Sequence, residues 1–185
     1  YAGTNPCAEE PLPAGGSCLL GSVNLSEFVT KNKTVDFDEF RRVVSISVRA
    51  LNEVLDEGLP MHPLQEQRDS VRDWRQIGLG IFGLADMLIK MNIVYGSKES
   101  IELCDKIGYV MANQAIISSY CLAVESGCYP KYNAIAVSKS DFFKSHIDPM
   151  DRDYIISDGL HNSQLLTIAP TGSLSSMLGV SGGIE

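Results

Sequence analysis

Ile77-Gly78-Leu79-Gly80-Ile81-Phe82-Gly83-Leu84-Ala85-Asp86-Met87-Leu88-Ile89 is apolar nearly all round, and how it is read decides the architecture of the chain. A segment with no polar face is buried on every side. Its three glycines imply that another backbone comes close. The sequence predicts a buried helix over 77–89, packed tightly on a neighbour.

The other elements follow, working outward, from spacing and punctuation. Upstream, Cys18-Leu19-Leu20-Gly21-Ser22-Val23-Asn24-Leu25 is short, apolar and bounded by turn residues, which predicts a buried strand. Asp36, with Glu39 three positions on, resembles a capping box. From Phe37 to Leu55 apolar residues recur at helical spacing, and Gly58 and Pro60 end the run. Residues 59–70 read as a polar connection. Downstream, a long helix runs from a cap at Ser97 to Gly127, with Ile101, Cys104, Ile107, Gly108, Met111, Ala115, Ile116 and Tyr120 on its inner face. Residues 128–148 read as irregular apart from an amphipathic stretch at Phe142-Phe143, and a last helix near 150–158 ends at Gly159. Gln164–Ala169 is a second candidate buried strand. It enters Pro170-Thr171-Gly172-Ser173-Leu174-Ser175-Ser176, where a helix can begin. Residues 1–17, with three prolines and three glycines, form a loop. The expectation is a helix-rich α/β architecture with two or three short buried strands.

Composition narrows the function classes. The chain has 185 residues, 44% of them hydrophobic, enough for a real core. A net charge of −8 makes it a poor non-specific ligand for nucleic acid, which is held by phosphate neutralisation. An anionic ligand would have to meet local positive potential at helix starts and bare amides. No window of about 20 apolar residues suited to a membrane span is expected, and no basic leader precedes an apolar stretch. Tyr1 at the start and Gly183-Ile184-Glu185 at the end read as cuts in a longer polypeptide. Five cysteines, an odd number with no CxxC pair, favour a reducing, cytoplasmic compartment over a disulfide scaffold. His62, His146 and His161 are scattered, so no metal site is expected.

Three places carry chemistry. In Asn5-Pro6-Cys7-Ala8-Glu9 an amide, a thiol and a carboxylate alternate, and in an extended segment alternate side chains share a face. Together they offer a hydrogen-bond donor, a sulfur able to act as nucleophile or hydrogen-atom donor, and a base. The plainer reading is a polar surface loop with a chance cysteine. Cys18 follows at the start of the first strand, either as a small buried hydrophobe or as a redox thiol facing the same pocket as Cys7. At Thr171, Gly172, Ser173 and Leu174, a strand turns into a helix start with free amides, hydroxyls and a glycine. That is an anion site or an ordinary N-cap. No Gly-Lys-Ser/Thr occurs, so it is not a Walker loop. Cys104 and Cys121 read as packing residues of the long helix, and His161 as shaping the turn before the strand.

Taken together, these segments resemble the large, catalytic subunit of ribonucleotide reductases. The resemblance rests on Asn5–Glu9 with Pro11-Leu12-Pro13, on 16–25 (GSCLLGSVNL), on Arg75-Gln76-Ile77-Gly78-Leu79-Gly80 with Gly83-Leu84-Ala85-Asp86, on Gly159-Leu160-His161-Asn162-Ser163, and on 169–173 (APTGS) running to 181–185 (SGGIE). They occur in the family's order across essentially the whole chain. The resemblance implies part of a ten-stranded α/β barrel: a finger loop over 1–17, strands and helices over 18–169, and a phosphate-binding loop with its helix over 170–185. It implies that Cys7 becomes a transient thiyl radical, that Glu9 accepts the 3′-hydroxyl proton and that Asn5 bonds the sugar oxygens. Cys18 would be one of two thiols that reduce the 2′ carbon and finish as a disulfide. Thr171, Gly172, Ser173 and the amide of Leu174 would hold the substrate's phosphates.

The wording is most similar to the adenosylcobalamin-dependent class, with a separate metal-bearing radical subunit as the alternative. A ribonucleotide substrate, nucleotide effectors, an external dithiol reductant of thioredoxin or glutaredoxin type and a homodimer are the implied partners. In the family the second reducing cysteine lies on an earlier strand, and nothing in 1–185 occupies that position, so the chain alone is expected to be inactive. Two rival readings are a helical binding module with inert thiols and a thiol–disulfide oxidoreductase. The second lacks the compact CxxC that tunes such thiols.

Overall fold

The computed structural model describes residues 1–185. Its first residues are organised by a tight turn. Strands β1 (Gly3–Thr4) and β2 (Pro11–Leu12) pair antiparallel, Gly3 opposite Leu12 and Thr4 opposite Pro11, so the proline-rich loop is a narrow hairpin. Strand β3 (Leu20–Asn24) follows, then helix α1 (Phe37–Gly58) and helix α2 (Gln65–Trp74).

The apolar stretch that decides the fold is not one helix. It is strand β4 (Gly78–Phe82) and helix α3 (Leu84–Met91), parted by Gly83 at a left-handed φ of 70°. β4 runs parallel to β3, with Leu20 opposite Gly78 and Asn24 opposite Phe82. On its other side lies the extended segment 164–167: Leu79 N donates to Leu165 O at 2.8 Å and Thr167 N donates to Leu79 O at 3.1 Å. The expected second strand is therefore a single parallel bridge, Leu79 with Leu166, rather than a full ladder. The glycines do mark close approach, but between strands. A Cβ on Gly80 would stand 2.6 Å from Thr167 O, and one on Gly78 would stand 2.7 Å from side-chain carbons of both Leu20 and Thr167. All five residues of β4 are buried because chain covers it on every side, and a fully buried strand carries no period-two signal. β3 departs from expectation too: only Val23 is buried, and its far edge pairs with no strand.

The helices follow their caps. The Asp36 carboxylate accepts from Glu39 N at 3.0 Å. Glu39 does not complete the box: it bonds Arg42, while Asp36 N donates to Phe28 O. Helix α4 (Lys98–Ser126) runs from the Ser97 cap to Gly127 as expected. Phe40, Val44, Val48 and Leu55 of α1 and Ile107, Met111, Ala115 and Ile116 of α4 share one core with Leu79 and Ile81. Burying each large aliphatic side chain is worth about 1.5–3 kcal/mol. Ile101, Gly108 and Cys121, expected to pack, are exposed. Contrary to the composition reading, α4 does hold an 18-residue window apolar enough to cross a membrane by length and composition, with mean hydropathy 1.3; half of that window is buried against the rest of the chain.

Helix α2 begins in the expected polar connection over 59–70 and runs past it to Trp74. It buries only Ser70 and Val71, so no apolar stripe advertises it. Two short helices, α5 (Ala134–Lys139) and α6 (Asp141–His146), lie within the expected irregular stretch. Helices α7 (Pro149–Asp158) and α8 (Gly172–Leu178) fall where expected.

A buried polar network ties these layers together. The Asn162 amide donates to Asn52 Oδ1 and to the Arg75 carbonyl, both at 2.9 Å, and its oxygen accepts from Ser119 Oγ at 3.0 Å. Arg75, itself left-handed at φ 44°, forks onto Asp56 at 2.6 and 2.8 Å. One side chain thus joins α1, α4, the end of α2 and the segment leading to 164–167. Asn162→Ala leaves several buried partners unsatisfied and is expected to destabilise the chain by about 2–4 kcal/mol, read as a lower urea midpoint at unchanged m-value.

Candidate active site

The residues singled out at the start of the chain sit on the hairpin tip, but strand alternation does not align them. Ala8 is left-handed at φ 66° and its N–H donates to Asn5 O at 3.0 Å, so 5–8 is a turn. Cys7 projects at the tip, exposed and unpaired. Asn5 points inward and is 7% exposed. Its Oδ1 accepts from Glu10 N at 2.9 Å and its Nδ2 donates to Cys18 Sγ at 3.5 Å. The Asn5 side chain thus ties the hairpin to the Cys18 thiol.

Both Glu9 side-chain oxygens are enclosed and have no hydrogen-bond partner. Its backbone carbonyl accepts from Thr167 Oγ1 at 2.9 Å. Gln76 bridges the same two regions, donating to Pro11 O at 3.1 Å and to Gln164 Oε1 at 3.0 Å. The hairpin is therefore fastened to the segment that reaches Thr171 four residues later.

Glu10 was passed over in the sequence, where nothing but its place beside Glu9 distinguishes it. It is the most enclosed acidic residue of the chain, fully buried with both oxygens unpaired. Burial pushes its carboxyl above the ordinary range; the nearby Cys18 thiol opposes that shift and the Glu9 charge adds to it. Cys18 is pushed up to about 12, first by desolvation and then by Glu10. A carboxyl raised on folding contributes stability in full below its unfolded value and loses it as pH climbs through the folded one. Glu10→Gln should therefore be more stable than the parent at pH 8 and no more stable at pH 4, compared by urea unfolding.

At the other candidate site, Thr171 is left-handed at φ 52° and starts α8 without a side-chain cap. The amides of Gly172, Ser173 and Leu174 make no hydrogen bond within the chain. Thr171 Oγ1 accepts from Gly183 N at 2.9 Å. The 181–183 strap is fixed in turn to the β4–α3 corner, where Asp86 Oδ2 accepts from Ser181 N at 2.7 Å and Gly83 N donates to Ser181 O at 2.8 Å. That amide holds the Asp86 carboxyl below its usual range. The motifs around 83–86, 169–173 and 181–185 thus meet at one corner.

An apolar cavity of about 660 Å³ is lined by Leu79, Ile81, Met111, Phe143 and Thr167, with none of the eight candidate residues. Cys18 lines a second hollow of about 260 Å³ with His62 and Gln76, and Cys7 is not part of it. Asn5 contacts the Cys18 sulfur, and neither of these hollows is lined by both thiols. His161 is structural, its Nδ1 2.6 Å from Gly127 O.

The family model for the ribonucleotide reductase barrel domain matches residues 2–185. The chain belongs to the ribonucleotide reductase family. It is similar to the vitamin B12-dependent ribonucleoside-diphosphate reductase of Thermoplasma acidophilum, 37% identical over 98% of this chain and 21% of that protein. The protein of the same name from Mycobacterium tuberculosis is 33% identical over 98% of the chain and 23% of its own length. The ribonucleoside-diphosphate reductase large subunit of Danio rerio is 34% identical over 91% and 22%. The chain thus spans about a fifth of the length of the relatives it matches.

Proposed function

We propose that residues 1–185 form part of the ten-stranded barrel of a ribonucleotide reductase and carry its radical thiol, one reducing thiol and its substrate-phosphate turn. The observation that carries this reading is the bond from Thr167 Oγ1 to the Glu9 carbonyl. It fastens the Cys7 hairpin to the strand that delivers Thr171-Gly172-Ser173-Leu174.

Phosphate oxygens take the free amides of Gly172, Ser173 and Leu174, a patch of positive potential in a chain of net charge −8. The ribose then lies toward the hairpin. Cys7, as a thiyl radical, removes the 3′ hydrogen atom. Glu9, whose unpaired oxygens are ready acceptors, takes the 3′-hydroxyl proton. The protonated 2′-hydroxyl leaves as water, and Cys18 and a second thiol from outside these residues supply two electrons and become a disulfide. The 2′ carbon takes up a proton, and Cys7 returns its hydrogen atom to the 3′ carbon and is a thiyl radical again. Asn5 bonds the sugar oxygens and, through its contact with Cys18, keeps the turn in register. An external dithiol then restores the thiols by exchange, in a reducing, cytoplasmic compartment.

Adenosylcobalamin is the radical source favoured by the likeness to B12-dependent relatives. When bound to the parent enzyme it would supply the acceptor for the hydrogen atom that the Cys7 thiol loses in becoming a thiyl radical. The exposed sulfur at a hairpin tip suits that transfer, and no residue of this chain is assigned to hold the cofactor. Diphosphates are the substrates named for the relatives. The unpaired edge of β3 would join neighbouring strands in the parent and would promote dimers of the isolated chain. Given ribonucleotide, dithiothreitol and the radical source, the complete reductase is expected to form deoxyribonucleotide and the 185-residue chain none. Product from the isolated chain would refute the assignment of the second thiol to other residues.

A further inference from the structure

Nothing in the reaction just described uses Glu10, yet an acid does not stay fully enclosed with two unpaired oxygens without consequence. Its main-chain N–H is held by Asn5 Oδ1 at 2.9 Å, and the same Asn5 side chain donates to Cys18 Sγ at 3.5 Å. One amide therefore fixes the carboxylate-bearing residue and the thiol relative to each other. The titratable groups that act on Glu10 are Cys18 and Glu9, with no cation among them. Those acting on Cys18 are Glu10 and Glu9, again with no cation.

That surrounding poses a chemical difficulty for a reducing thiol. In thiol–disulfide exchange the departing sulfur leaves as a thiolate, and it leaves more slowly the more basic it is. Cys18, with anionic neighbours and no positive partner, is a poor leaving group unless a proton meets it.

We propose that Glu10 is the proton partner of Cys18, taking the thiol proton when Cys18 enters its disulfide and returning it when a dithiol reductant releases Cys18. Solvent supplies the proton that the substrate takes in its place and recovers one when the dithiol is oxidised. In the return step a thiolate of the reductant attacks the partner sulfur. A new S–S bond forms there, the old S–S bond breaks, and the electron pair departs on Cys18, which receives the Glu10 proton. The reductant's second thiol then closes its own disulfide and frees the partner sulfur, so two electrons pass from the dithiol to the enzyme. Glu9 is left to the substrate hydroxyl. The inference rests on the reading of Cys18 as a reducing thiol.

The test uses the complete reductase carrying Glu10→Gln, Glu10→Asp or neither. Two rates are read at pH 8: alkylation of Cys18 by iodoacetamide in the reduced enzyme, followed by peptide mass spectrometry, and reduction by dithiothreitol of the disulfide formed in one turnover. Glu10→Gln should alkylate about three- to tenfold faster, since the thiolate is no longer opposed by a charge, and its disulfide should be reduced about tenfold more slowly. Glu10→Asp should recover part of both. A loosened loop would speed both rates, so both faster, or both unchanged, overturns the proposal. If Cys18 of the unmodified enzyme never enters a disulfide during turnover, the underlying functional reading fails. If it does and Glu10→Gln leaves the rates alone, only the Glu10 assignment fails.

Discussion

Cys7→Ala in the complete reductase is expected to abolish deoxyribonucleotide formation, lowering the rate by at least about 10⁴-fold, or about 5.5 kcal/mol of activation free energy. The size follows from the role: no other group on the hairpin tip can hold the odd electron and take a hydrogen atom from carbon. Stability should barely change. The Cys7 side chain is exposed and makes no hydrogen bond, and substitutions of that kind fall within about 0.5 kcal/mol. Cys121→Ala is the matched control, since Cys121 is also exposed but lies on α4, away from the hairpin, and it should retain full turnover. Activity assays with urea unfolding of the same three proteins check this. A Cys7→Ala enzyme that still turns over at a tenth of the normal rate would remove the radical thiol from the account.

Gly80→Ala is the second large effect, and it acts through the fold. The new methyl would stand 2.6 Å from the Thr167 carbonyl oxygen, a main-chain atom that cannot turn aside. β4 and the 164–167 segment must separate, straining the bond from Thr167 N to Leu79 O. Overpacking of this kind costs about 1–3 kcal/mol, and weakened hydrogen bonds add to it. Thr167 also holds the Glu9 carbonyl. Activity should therefore fall even at temperatures where the variant stays folded. Gly108→Ala, on α4 with nothing within 4 Å of the added carbon, should instead stabilise the chain by about 0.5–1 kcal/mol. Thermal and urea unfolding of the pair separate steric conflict from a general effect of replacing glycine.

The same glycine shows how far the sequence could be read. Close approach at 78–83 was legible because glycine has one common reason to recur in an apolar stretch. Whether the approaching partner was a helix or a strand was not, because a segment covered on all sides has lost the alternation that distinguishes them. Caps were legible where the signal is local: Ser97, Gly127 and Gly159 each bound a helix as expected. α2 was hidden for the opposite reason to β4, having almost no apolar face to show.

At the candidate site, the residue types of Asn5, Cys7, Glu9 and Cys18 were visible, and so was the turn at 171–174. Their arrangement was not. Alternation on an extended strand would have set Asn5 beside Cys7, whereas the left-handed Ala8 turns Asn5 inward onto Cys18. Glu10 gave no signal, because its enclosure depends on distant chain packing over the hairpin. The meeting of 83–86 with 181–183 was not legible, since it joins residues almost a hundred positions apart.

The most direct measurement is a crystal structure of the complete reductase with a ribonucleotide bound. The account predicts phosphate oxygens on the amides of Gly172, Ser173 and Leu174 and the ribose 3′ carbon beside Cys7 Sγ. A nucleotide whose phosphates lie elsewhere, or a Cys7 on the opposite side of the barrel from that turn, would contradict it.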